Sequence, residues 1–136
     1  MIDLSYGIIP FRSTPKGWEV LLIQHRKDCY WGFPKGHLEE GEEMLQGAVR
    51  ELFEETHLTV DSLICDEVFV EHYQFEVDSQ IVEKTVTYFA ARVSGKVEVQ
   101  NAEILQARWC PAAEAFDIIT YDEAKALFKV VLKKIA

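Results

Sequence analysis

The sequence predicts an α/β (α+β) fold, a mixed β-sheet sandwiched between helices. Three observations carry that expectation. Apolar runs of strand length lie on both sides of a central segment with helical periodicity, and a second helix-period segment follows near residue 120. The third is composition: 49% hydrophobic and 27% charged residues is the balance of a globular chain rather than a disordered one. A length of 136 residues suits a single domain, residues 1–136, with one sizeable core.

Ser5 to Phe11 reads as the first strand, and Arg12 to Gly17 as a turn-rich stretch. Trp18 to His25 follows as a strand whose run Val20-Leu21-Leu22-Ile23 is apolar enough to be buried on both faces. Arg26 to Gly41 is a long irregular segment with Gly32, Pro34, Gly36 and Gly41; loops of that length inside a domain are usually functional. From Glu42 the pattern turns helical. Leu45, Ala48, Val49 and Leu52 form a core-facing stripe, and Glu42 and Glu43 in a first turn suit the positive end of the helix dipole.

Leu63 to Val70, Glu71 to Val77 and Val82 to Val93 read as strands, with Asp78-Ser79 a hairpin turn and Gly95 another turn. Ala107 to Cys110 is a short strand, and Pro111 suits the first turn of a short helix. Thr120 and Glu123 have capping-box spacing. Beyond them Ala124, Leu127, Phe128, Val131, Leu132 and Ile135 make one apolar stripe.

Several function classes are disfavoured. A net charge of −9 argues against duplex nucleic acid, whose binding rests on basic patches. A small polyanion stays compatible if a divalent metal and a few local cations invert the potential. No apolar run is long enough to span a membrane, and the start has neither the basic nor the apolar region of a secretory signal. Cys29, Cys65 and Cys110 are odd in number and lack metal-site spacing, so the expectation is reduced thiols in a cytoplasmic protein.

The chemistry lies in the loop and helix from Gly36 to Leu58. At 3.6 residues per turn, Glu51, Glu54 and Glu55 share an arc of roughly 100° beside the apolar stripe. A solvated glutamate face is the ordinary meaning of such a helix. Three adjacent carboxylates near a sheet also repel one another, and a hard cation such as Mg²⁺ relieves that repulsion. Hydrolysis of a polyphosphate needs charge neutralisation, an in-line water and a base. Lys35 and Arg50 add cations, and the glycine-bearing loop lets backbone groups approach metal or phosphate.

The order of residues favours the chemical reading. Gly36, Glu42, Arg50, Glu51, Leu52, Glu54, Glu55 and Leu58 resemble the motif of the Nudix hydrolases: Gly, five residues, Glu, seven residues, then Arg-Glu-apolar-any-Glu-Glu-any-Gly-apolar. A chance match is on the order of one in 10⁵ chains or rarer. The resemblance implies a Nudix-type mixed sheet between helices. It implies Mg²⁺, with Mn²⁺ as a substitute, held by Glu51, Glu54, Glu55 and the Gly36 carbonyl. Glu54 or Glu51 would be the catalytic base, and Arg50 would orient its neighbours. Glu103 fits the place of a further acidic ligand from a distant loop, or is simply an exposed acid. The one departure is His57, where the family has a helix-ending glycine.

Trp31 to His37, Lys84 to Phe89 and Glu103 before Arg108-Trp109 resemble the asymmetrically cleaving diadenosine tetraphosphate hydrolases, bis(5′-nucleosyl)-tetraphosphatases. That subgroup implies cleavage to ATP and AMP, a phosphate contact from Lys84, and aromatic stacking on adenine. Lys84, Val86 and Tyr88 share a strand face, so Lys84 and Tyr88 are expected in one cleft; the alternative is a snorkelling lysine and a core tyrosine. Tyr73 or Phe75 on one side, and Tyr121 or Phe116 on the other, are the stacking candidates. Lys35 and Tyr30 complete the expected substrate set, although relatives often carry His where Tyr30 stands. The expected partner is a small nucleotide substrate, with no membrane and no duplex nucleic acid, and the protein is expected to be a monomer. RNA 5′-end pyrophosphohydrolase, nucleoside triphosphate or nucleotide-sugar pyrophosphatase, and a non-catalytic binding module of the same fold are the alternatives.

Overall fold

The computed structural model describes residues 1–135. Its strands are β1 (Ile2–Thr14), β2 (Gly17–His25), β3 (Trp31–Gly32), β4 (Lys35–Gly36), β5 (Thr59–Val77), β6 (Gln80–Ser94) and β7 (Ile104–Pro111). Helix α1 (Met44–Thr56) sits between β4 and β5, and α2 (Asp122–Ile135) follows β7. The strands form one mixed sheet of order β3-β2-β1-β6-β5, with β4 pairing β1 and β7 pairing β2. β1 and β6 run parallel; the other pairs are antiparallel.

Period-2 alternation divides the core between the two faces. Ile9, Phe11, Val20, Leu22, Val86, Tyr88 and Ala90 pack with Leu127, Phe128 and Val131 of α2. Ile8, Leu21, Ile23, Ala91 and Val93 pack with Ala48 and Leu52 of α1. Val20 to Ile23 is therefore buried on both faces, as its unbroken apolar run requires. The expected mixed sheet between helices is the observed one. Among the described residues, no helix is long and apolar enough to cross a membrane.

Pairing lengthens most elements beyond their apolar runs. β1 reaches Thr14 because Thr14 pairs with Gly17 across a tight turn. Leu63 to Val77, expected as two strands, is part of one 19-residue strand with register shifts between Val60 and Ser62 and between Leu63 and Val68. Asp78 (φ 49°) and Ser79 (φ 65°) make the β5–β6 hairpin turn, the left-handed pair whose twist matches the strands.

Two helix starts differ from expectation. Glu43 is the N-cap of α1, in a capping box with Gln46, so neither Glu42 nor Glu43 lies in the first turn. The Thr120 hydroxyl does not cap α2. It accepts the Trp31 N–H at 2.8 Å while Thr120 N–H donates to the Trp31 carbonyl at 3.2 Å. Tyr121 is the residue before the helix, and its carbonyl accepts from Lys125 N–H. Thr120 thus ties α2 to the loop holding β3.

Gly7 sets the position of that loop. β4 lies against β1 with Gly7 opposite Lys35 and Tyr6 opposite Gly36. A Cβ at Gly7 would collide with the Pro34 carbonyl oxygen and come within 2.9 Å of the Tyr88 ring. The absent side chain is what lets Lys35 and Gly36 lie flat on the sheet, next to α1.

His57 ends α1 in the left-handed conformation (φ 66°, ψ 11°), its N–H donating to the Phe53 carbonyl. That geometry favours glycine. The imidazole compensates by stacking on Phe53 at 5.0 Å and placing Nδ1 3.3 Å from Glu98. The substitutions His57→Gly and His57→Ala separate these effects. Gly relieves the backbone and forfeits the stack; Ala forfeits the stack and keeps the strain. His57→Gly should therefore be more stable than His57→Ala by about 1 kcal/mol, read as the gap between their denaturation midpoints; equal midpoints would contradict the strain.

Candidate active site

Glu51, Glu54 and Glu55 are brought to one side of α1, facing the β4 loop. Arg50 stands at the centre of the group. Its Nε and Nη2 donate to the two Glu42 oxygens at 2.7 and 3.0 Å. Nη1 donates to Glu51 Oε1 and Glu54 Oε2, both at 3.0 Å, and Nη2 reaches the His37 carbonyl at 2.9 Å. Glu39 Oε1 lies 3.5 Å away. One guanidinium thus holds the loop to the helix and sets two of the three motif carboxylates. Glu42, accepting from it, chiefly raises its pKa above the usual arginine range, and in turn it holds the Glu42 carboxyl below its usual range.

The carboxylates differ by depth. Glu54 is half exposed. Glu51 is largely shielded, and burial raises its carboxyl against the pull of Arg50. Glu55 is 3% exposed, and burial, then Glu51, push it up to about 9 against the pull of Lys35. Its Oε2 has no hydrogen-bond partner. Gly36 lies directly on the Glu51 carboxylate, where any Cβ would overlap it.

Among the described residues, no three His, Cys, Asp or Glu side chains converge on a common point in this conformation, because Glu54 is turned to Arg50. The donor set still suits a hard divalent cation. It is all oxygen, it contains an orphaned buried carboxylate oxygen at Glu55, and the Gly36 backbone lies against the Glu51 carboxylate. Glu103 sits in the turn before β7, its carbonyl accepting from Arg26 N–H at 2.8 Å. Its charge is felt at Glu55, where it adds to the upward push.

Beside this cluster opens a cleft of about 660 Å³. Lys35, Lys84, Tyr30, Tyr73, Phe75 and Tyr121 line it together with Glu71. Six of the eight expected substrate residues therefore share one cavity. Tyr73 and Phe75, 6.1 Å apart, belong to β5. Tyr30 and Tyr121, 5.1 Å apart, come from the β3 loop and the start of α2, and His25 stacks on Tyr30 at 4.2 Å. Burial, reinforced by Lys35, drives His25 down to about 4, so this imidazole is neutral.

Lys84 is 6% exposed. Its Nζ donates to Ser5 Oγ at 2.6 Å and lies 3.0 Å from Asp3 Oδ1. Partial burial works against charge on Asp3, yet its bonds with His37 and Lys84 hold its carboxyl below the usual range. Lys35 feels both Glu55 and Glu71, so it spans the distance between the carboxylate cluster and the cleft.

Two expectations are corrected. Tyr88 is 2% exposed and packs edge-on against Phe33 at 5.5 Å. It shares a strand face with Lys84, but four residues of strand span about 13 Å, enough to pass from cleft to core. Phe116 packs on Phe128 at 5.4 Å and does not line the cleft. Conversely, Asp3 and Glu71 line the cleft without having been expected there, and Glu42, expected as a motif residue, is the carboxylate that takes two of the Arg50 hydrogen bonds. Glu71 had a signal in the sequence: it interrupts an inward-facing series, Phe69, Glu71, Tyr73, Phe75, in which every other member is aromatic.

Comparison with known proteins agrees with this geometry. Residues 1–131 match the NUDIX domain model. An asymmetrical bis(5′-nucleosyl)-tetraphosphatase of Caenorhabditis elegans is 30% identical over 131 residues, covering 95% of this chain and 94% of the relative. The Rattus norvegicus protein of the same name is 35% identical over 111 residues, covering 79% and 74% respectively. A C. elegans Ap4A hydrolase binary complex superposes with a TM-score of 0.79 at 26% identity, over 98% of this chain and 97% of that one. A match spanning nearly all of the sequence, on a chain in which Arg50 ties Glu42, Glu51 and Glu54 together and Gly36 lies on Glu51, shows that the protein belongs to the Nudix family.

Proposed function

We propose that this protein, as a single Nudix domain over residues 1–136, hydrolyses diadenosine tetraphosphate to ATP and AMP. The observation that carries this reading is the juxtaposition of a two-walled aromatic cleft with the glutamate cluster, Lys35 lying between them. The similarity to asymmetrical tetraphosphatases supports it. An adenine would stack between the Tyr73–Phe75 wall and the Tyr30–Tyr121 wall, and Lys84 and Lys35 would meet the phosphates.

Glu51, Glu54, Glu55 and the Gly36 carbonyl would hold Mg²⁺ or Mn²⁺, with Glu103 nearby. Bound there, the ion supplies positive charge against the phosphates and the attacking water. The chain's own groups do the rest. Arg50 orients Glu51 and Glu54 through its two Nη1 bonds. Glu54, the most accessible of the three, would take the proton of an entering water, and Glu51 is the second candidate. A cytoplasmic, monomeric enzyme acting on a free nucleotide completes the reading.

Incubation with Mg²⁺ and diadenosine tetraphosphate should yield equal ATP and AMP by chromatography. Glu54→Gln should lower kcat at least a hundredfold; two ADP, or turnover no better than this variant, would sink the proposal. Gly36→Ala provides an independent check. Its methyl group meets a carboxylate at the end of a flexible side chain, so folding should change little. Displacing Glu51 should nevertheless cut kcat/KM at least tenfold. Unchanged kcat/KM would show that the Gly36–Glu51 contact has no catalytic role.

The state of Glu55 adds a pH signature. Its folded value, about 9, lies above the 4.5 of an ordinary glutamate, so the folded metal-free protein binds more protons than the unfolded chain in that window. Stability without metal should accordingly fall as pH rises from about 5 to 9, by at most about 1.4 kcal/mol per pH unit. Metal uptake should release a proton and tighten with pH. Calorimetric titration with Mg²⁺ in two buffers of different ionisation heat counts that proton; none released at pH 7 would refute the assignment.

A further inference from the structure

Glu71 stands where the strand pattern calls for an apolar side chain. It lies on β5 between Phe69, which is in the core, and Tyr73, which forms the cleft wall, and it faces Val86 across the ladder. It is 8% exposed and lines the cleft. Among the described residues, its carboxylate makes no hydrogen bond and no ion pair within 4.0 Å. Lys84, the cation nearest in the ladder, is already committed to Asp3 and Ser5. A buried carboxylate without a partner is costly. The cleft it lines is also lined by Tyr30, Tyr73, Phe75 and Tyr121.

We infer, on the nucleotide-cleft reading above, that Glu71 reads the stacked base by accepting a hydrogen bond from its exocyclic amino group, making the cleft selective for amino-bearing nucleobases. Stacking on tyrosine and phenylalanine is tolerant of base identity, since every base has a π-face. Selectivity must come from an edge contact. A lone acceptor suits the amino group that adenine, guanine and cytosine present, and repels the carbonyl edge of uracil. A second role, as counter-charge to Lys35 and Lys84, predicts something different: it acts on phosphate binding and is blind to the base.

Titration calorimetry of the full chain with AMP, and with the analogue carrying hydrogen in place of the 6-amino group, distinguishes the two roles. Wild type should bind AMP roughly ten- to a hundredfold more tightly than the analogue. In Glu71→Leu, whose apolar side chain suits the inward position, the ratio should collapse to about one. In Glu71→Gln, which keeps an uncharged acceptor, an intermediate ratio should remain. Equal affinities in wild type, a ratio that survives in Glu71→Leu, or a proportionate loss of both ligands would overturn the assignment. Turnover of the tetraphosphate with no amino preference defeats this inference alone. Amino preference without turnover defeats the proposed reaction alone.

Discussion

The whole candidate site hangs on one guanidinium. The loop before α1 carries Gly36 and His37, and the helix carries Glu51 and Glu54; Leu38 packs on Gly47 of the helix, but apolar packing gives the carboxylates no directional hold. Arg50 supplies it by donating at once to the His37 carbonyl, to both oxygens of Glu42, and to Glu51 and Glu54. A planar fork with fixed donor directions can do this, whereas a lysine ammonium on a flexible stem could not. The motif's long spacing between Glu42 and Arg50 then has a physical meaning. The chain leaves the loop, makes two turns of helix, and returns the arginine to a carboxylate eight residues earlier.

Around that tie the charges are graded by depth rather than merely clustered. Glu54 at the rim, Glu51 below it and Glu55 at 3% exposure experience increasing desolvation, and only the deepest is pushed up to about 9. A protein with a net charge of −9 can accept a polyanion because its lysines are local. Lys35 and Lys84 lie in the cleft, while Lys129 and Lys133 lie on α2 beside Phe116. Global charge governs solubility and long-range encounter; the field within a narrow cleft is set by the groups lining it.

The fold was largely legible because its two periodicities are clean. The double-faced run at Val20 to Ile23 and the stripes on α1 and α2 demanded a sheet between two helices, and the glutamate positions followed from helix geometry. What escaped the sequence depended on partners distant along the chain. Thr120 and Glu123 have capping-box spacing, yet the hydroxyl is claimed by Trp31, 89 residues earlier. Tyr88 shares a face with Lys84, but face says nothing of depth along the strand, and β6 runs from cleft to core between them. Asp3 gave no local sign of function at all. It enters the site only because β1 runs parallel to β6 with Asp3 beside Lys84.

Glu55 and Glu71 show how much of such a site can be recognised by its violations. Each carboxylate occupies a buried position, and each lacks the hydrogen bonds that burial normally demands. Neither lapse helps folding, since a well-packed apolar residue in either place would be neutral or stabilising. Local rules that fail together near one cleft mark where a ligand completes the structure. Lys35 joins the two lapses. Burial lowers its pKa while Glu55 and Glu71 pull it back, so its charge is sustained by the acids it connects. Metal at one end and base at the other would each satisfy a carboxylate that now leans on the same ammonium.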